Sequence, residues 1–163
     1  MENPMIRALM TAALLAVALP AAAQSTPAAN YTDMWWNPSE SGWGVSFAQH
    51  SSGQVFAVWY TYDPREPTPT GRAKPLWFVV PGGRWETPTR FTGTAYVTDG
   101  VPFHQSGSNV RSTAVGTFTF NFTSASAGTF TYSVAPPANL AANDPAYNLP
   151  TLAGTKSIVR QSF

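Results

Sequence analysis

The chain has 163 residues, no cysteine, nine Lys and Arg against eight Asp and Glu, and a formal net charge of +1. That length suits one domain with a substantial core, and the near-neutral balance argues against a nucleic-acid binder. Without cysteine there can be no disulfide, no thiol catalysis and no cysteine-ligated metal. With 10% of residues charged and 13% aromatic, ring packing outweighs acid–base chemistry in what the composition offers.

In chain order, Arg7 precedes an apolar run from Ala8 to Leu19, Pro20 breaks it, and Ala21-Ala22-Ala23 offers an A-x-A cleavage site. Residues 1–23 are therefore predicted to be a secretory signal peptide, with Met5 the better start because Glu2 weakens the basic n-region. The run is too short to cross a hydrocarbon core of about 30 Å as a helix, and no later run is long enough. Residues 24–30 read as a flexible leader, and 31–163 as a single β domain. The stretch WWNPSESGWG, 35–44, reads as a turn capping the fold with Trp43 inside. Trp35 and Trp36 are adjacent, so in extended chain they face opposite ways, and one of them is expected near the surface.

From there the pattern has period two. Gly44–His50, Gln54–Tyr62, Lys74–Val80 and Arg90–Thr98 read as strands. QVFAVWYTY is apolar on both faces, so the strand is expected to be central, or covered on its outer side by a loop or a partner. Phe118, Phe120 and Phe122 alternate with threonine and asparagine, and Phe130, Tyr132 and Val134 alternate with Thr129, Thr131 and Ser133. That is a hairpin with an aromatic core face and a wet threonine face. The C-terminal TKSIVRQSF supplies a last strand expected to pair with 128–134. PREPTPTGR (64–72) is predicted to be an exposed loop, and 135–154, with four prolines, a long loop acting as a lid or a disordered insertion. No helix of useful length is predicted. The fold class is all-β: an antiparallel up-and-down meander of about seven to eight strands, forming a small barrel or sandwich.

WWNPSESGWG, WYTYD (59–63), KPLW (74–77), the two Gly-Thr-Phe-Thr stretches and the terminal KSIVRQSF keep one order along the chain. The series resembles a group of exported Gram-negative bacterial proteins with W-N-P-x-E-S-G-W-G, W-[YF]-T-Y-D, G-x-P-x-W and K-x-I-x-R-Q-x-F blocks. The resemblance implies export and a single domain, and carries no reaction with it. The longer loop before Lys74 and the 135–154 loop depart from the pattern.

Catalytic groups are sparse. His50 lies beside Ser51-Ser52 at a turn and His104 in a loop. Neither has the spacing of a metal site or an evident orienting group for Ser–His chemistry. Glu40 and Glu86 are the two carboxylates near tryptophan, and as a pair could serve a polysaccharide hydrolase. Alternatively Glu40 simply accepts backbone amides in the Ser39–Gly42 turn. Six tryptophans exceed what a core of this size needs. Trp35, Trp36, Trp43, Trp59 and Trp77, with Glu40 as polar contact, are candidate ligand-binding residues, Trp59 and Trp77 as possible cross-strand neighbours. The expected function is a non-catalytic exported module binding a glycan or small amphipathic ligand, without cofactor. The alternatives are an envelope or outer-membrane structural domain, a protein-interaction domain, and a hydrolase.

Overall fold

The computed structural model describes residues 24–65, 71–105 and 110–162. The expected signal peptide lies outside them. The strands are β1 (Asp33–Asn37), β2 (Glu40–Gln49), β3 (Val55–Tyr62), β4 (Pro75–Val80), β5 (Arg84–Thr87), β6 (Arg90–Asp99), β7 (Arg111–Phe122), β8 (Ala127–Val134) and β9 (Leu152–Arg160). Every pairing is antiparallel, in the order β4-β3-β2-β1-β9-β8-β7-β6-β5. A further pair, Val79 with Tyr96, joins β4 to β6 and closes eight strands into a barrel, leaving β5 as a ninth strand on the margin. Barrel rather than sandwich is the outcome. Among the described residues there is no helix.

Eight strands enclose a space that side chains can just fill. Here the filling is aromatic. Phe47, Phe78, Phe91, Phe118, Phe120 and Phe130 are buried, and Phe47 meets Phe91 and Phe120 edge-on at 5.7 and 5.0 Å between centroids. Edge-to-face rings use their quadrupoles favourably as well as burying area. The sheet tolerates its closest approach at Gly116, where β7 bulges: a Cβ there would run into the Ser133 carbonyl of β8.

Both ends of the barrel are closed by non-strand chain. At the start of β3, residues 24–31 lie across the opening instead of trailing as a flexible leader. Ser25 and Ala28 donate backbone hydrogen bonds to the carbonyls of Trp85 and Pro88, at 3.0 and 2.7 Å. Tyr31 stacks on Phe122 at 3.9 Å. The Trp85 indole donates to the Gly53 carbonyl at 2.9 Å, which ties β5 to the β2–β3 turn. At the end of β3, residues 135–151 form an ordered cap that buries Ala146 and Leu149. Arg65, forked on Asp63, donates to the carbonyls of Pro145 and Tyr147 at 2.7 and 3.2 Å. Thr113 donates to Asp144 at 2.8 Å. The long loop thus packs on the barrel end, and β9 begins at Leu152, earlier than its threonine-lysine pattern suggested.

The outside of the barrel is two-sided. Thr92, Thr119, Thr131 and Thr155 lie in one register row across β6, β7, β8 and β9, with hydroxyl contacts Thr92–Thr119 at 3.1 Å and Thr131–Thr155 at 2.9 Å. The outward positions of β3 and β4 instead carry Phe56, Val58, Tyr60, Tyr62, Trp77 and Val79.

Candidate functional site

Six candidate residues separate into three places. Trp35 and Trp59 are core. Trp35 is fully buried, its indole donates to the Tyr31 carbonyl at 3.0 Å, and the Arg160 guanidinium sits over its ring at 5.3 Å. Trp59 packs among Phe78, Phe118, Phe130 and Tyr132, and its buried N–H has no acceptor among the described residues. Trp85, the sixth tryptophan, is buried as well.

Glu40 and Trp43 form the second place, at the β1–β2 turn. Asn37 accepts the Ser39 amide at 2.9 Å, an Asx turn that reverses the chain around Pro38. Gly42, at φ +91°, then supplies a conformation side-chain-bearing residues avoid. The Glu40 carboxylate accepts from Asn37 Nδ2 at 3.2 Å, Trp43 Nε1 at 3.1 Å and Lys156 Nζ at 2.7 Å. Side chains, not the expected backbone amides, satisfy it. The ladder between β1 and β9 has two pairs, Trp35 with Arg160 and Trp36 with Val159, so the Glu40–Lys156 pair extends that seam beyond its last rung. Trp43 itself is half-buried, 6.3 Å from Phe130.

The lysine hydrogen bond holds the Glu40 carboxyl below the usual carboxylate range, and the same bond raises Lys156 above the usual lysine range. Stability from a lowered carboxylate is fully present above its unfolded pKa and is lost as pH falls through the folded one. The Lys156 contribution has the opposite sense and is lost as pH rises through its raised pKa. Glu40→Gln should therefore lower the melting temperature at neutral pH and flatten the melting-temperature decline below about pH 4. An unchanged acid limb in a pH series of thermal melts would remove the seam role.

The hydrolase geometry is not assembled. Glu86 is bound by Arg84 and Arg90 at 3.1 and 2.8 Å on β5, shares no partner with Glu40, and is also held below the usual carboxylate range by its Arg90 bond. Neither carboxyl is kept protonated as a general acid would be. His50 Nδ1 meets Ser52 Oγ at 2.8 Å and also accepts the Ser52 amide, with no carboxylate among the described residues bonded to the ring. That is a turn contact. Among the described residues no group of three His, Asp or Glu could hold a metal, and no helix is long and apolar enough to cross a membrane.

The third place is the outer face. Trp36 is 36% exposed and Trp77 50% exposed. The expected Trp59–Trp77 pairing does not occur: Trp59 is opposite Phe78, and Trp77 is opposite Tyr60. The two indoles lie on opposite faces of the sheet, one residue out of step. Trp77 instead joins Tyr60, Tyr62 and Phe56, which are 44%, 56% and 49% exposed. On the flank, β2 presents glycine. Gly44 is opposite Tyr60, and a Cβ on Gly42 would come within 3.3 Å of the Tyr62 ring. The rings thus stand beside a strip with no side chains. The three β3 aromatics were not among the candidate ligand residues, although QVFAVWYTY, apolar on both faces, carried the signal for them.

Comparison with protein-family models, with curated proteins and with solved structures finds no match.

Proposed function

We propose that the protein is an exported, non-catalytic binding module whose ligand, a glycan, stacks on Trp77, Tyr60 and Tyr62 on the outer face of β3 and β4. The observation that carries this reading is the two-sidedness of the barrel. On β6 to β9 the outward positions are mostly threonine, serine and asparagine, with Arg90, Tyr96, Ala114, Ala127, Ala153 and Val159 among them, the ordinary way to keep a sheet wet. On β3 and β4 the same chain places rigid rings in solvent, beside glycines that leave their faces open. Exposed tyrosine and tryptophan give large contact area at small entropic cost, and their tips can hydrogen-bond a polar ligand. A sugar ring, with apolar C–H faces and hydroxyl edges, is the matching chemistry.

The secretory N-terminal pattern and the block resemblance support export. A membrane-spanning barrel fits less well, because a lipid-facing belt must be apolar all round, and rows of threonine and serine hydroxyls run across β6 to β9. Tryptophan fluorescence followed during titration with neutral envelope and plant polysaccharides tests the reading. A saturable shift with one glycan class is expected, since Trp77 reports from the face itself. No shift with any of them would remove the glycan reading.

A further inference from the structure

We infer that this face takes its glycan as an extended, uncharged chain laid along β3, with the groove beside Phe56 receiving one end of the bound stretch. The inference rests on the glycan-binding reading above and specifies its ligand.

The outward residues of β3 are Phe56, Val58, Tyr60 and Tyr62. At the rise of a strand, Phe56 to Tyr62 spans about 20 Å, the length of about four sugar rings in an extended chain. One small sugar cannot touch Phe56 and Tyr62 together. The row is continuous, because Val58 and its partner Val79 bridge the gap between Phe56 and the Tyr60–Trp77 pair. Twisting along the strand turns successive rings gradually, as a twisted glycan chain also turns its faces.

The Phe56 end opens into a groove of about 650 Å³ lined by Ala48, His50, Gln54, Phe56, Pro81 and Gly82, among others, a volume within the range of ligand sites. Its polar groups divide into used and unused. Gln49 is spent on Tyr31 and Ala29, Gln24 on Gly53, and His50 Nδ1 on Ser52. The Gln54 amide and His50 Nε2 make no hydrogen bond among the described residues. An amide and an imidazole next to an exposed ring are what a sugar with equatorial hydroxyls requires: a face to stack on, and donors and acceptors for its edge.

Charge points the same way. The outward positions Gly42, Gly44, Ser46 and Ala48 of β2, those of β3, and Pro75, Trp77 and Val79 of β4 include no ionised side chain. The nearest cations in sequence are Lys74, Arg65 and Arg72 at the Tyr62 end and, at the other, Arg84, which is paired with Glu86. An acidic polysaccharide would find no row of partners, whereas a neutral one loses no hydration of charge on stacking.

Calorimetric titration of the protein with neutral β-1,4-linked oligosaccharides of glucose, xylose, mannose and N-acetylglucosamine, from one to about six rings, tests this. Affinity for one series should rise tenfold or more between two and about four rings and then level off, the length set by the strand rise. Phe56→Ala and Gln54→Ala should each flatten that rise, while Thr131→Ala on the threonine side should leave it as it is. Affinity that does not grow with length, or that grows equally in Phe56→Ala, overturns the extended footprint while binding at Trp77 and Tyr60 stands. No binding at any length overturns both readings. Sedimentation showing a dimer abolished by Phe56→Ala or Tyr60→Ala would give the face to a second copy of the chain instead.

Discussion

Trp77→Ala is expected to weaken glycan binding by roughly 30-fold, or about 2 kcal/mol, the scale of an interfacial aromatic anchor. It should leave the fold intact. The indole is half exposed, faces Tyr60 across the β3–β4 ladder and touches none of the buried rings described above. Its removal costs little beyond the preference of strands for aromatic residues, within about 1 kcal/mol. Tyr60→Ala should act in the same direction, and the double variant should lose less than the sum, because the two rings offer one stacking surface. The result that sinks the assignment is a folded Trp77→Ala protein with unchanged affinity for a glycan that binds the parent.

Trp35→Ala should do the opposite. A fully buried indole replaced by alanine leaves a large cavity, which typically costs about 3–5 kcal/mol. Here the change also takes the donor from the Tyr31 carbonyl and the ring from beneath Arg160. The urea midpoint should fall accordingly, with the slope little changed. If the alanine variant does not fold, Trp35→Phe keeps the test open, with a smaller loss in the same direction. Binding measured on the folded protein should be unaltered. A Trp35→Ala protein as stable as the parent but unable to bind would place that side chain in contact with ligand. The adjacent pair of tryptophans thus has one core member and one surface member, and denaturation rather than titration should report on the first.

Much of this was legible in the chain. The alternation of Phe118, Phe120 and Phe122 with threonine and asparagine gave the core face of β7 and its pairing with β8, because period two admits no other placement of rings. The split of Trp35 and Trp36 followed from the same geometry. What escaped has physical causes. β1 and β5 are five and four residues long, too short for a period to declare itself beside Pro38 and Gly83. The Trp59–Trp77 register could not be read, because the connection between β3 and β4 is long, and only short hairpin loops set register. Glu40's partner Lys156 comes from the last strand, a contact no local pattern encodes. The closed ends were hidden for a related reason: residues 24–31 and 135–151 have no periodicity, and they hold position through scattered backbone bonds and through the few side chains, Tyr31, Ala146 and Leu149, that they bury.

The strand order carries a consequence for how the molecule is made. β9 lies between β1 and β8, so the ring cannot close until the strand made last pairs with the strand made first. Until then a growing or newly released chain has two unpaired edges, a state prone to joining with neighbours. Contacts so distant in sequence also slow the search for the native ring. The short β1–β9 ladder, reinforced by Glu40 and Lys156, is therefore where assembly finishes, and damage to that seam should appear first as lost yield of folded protein.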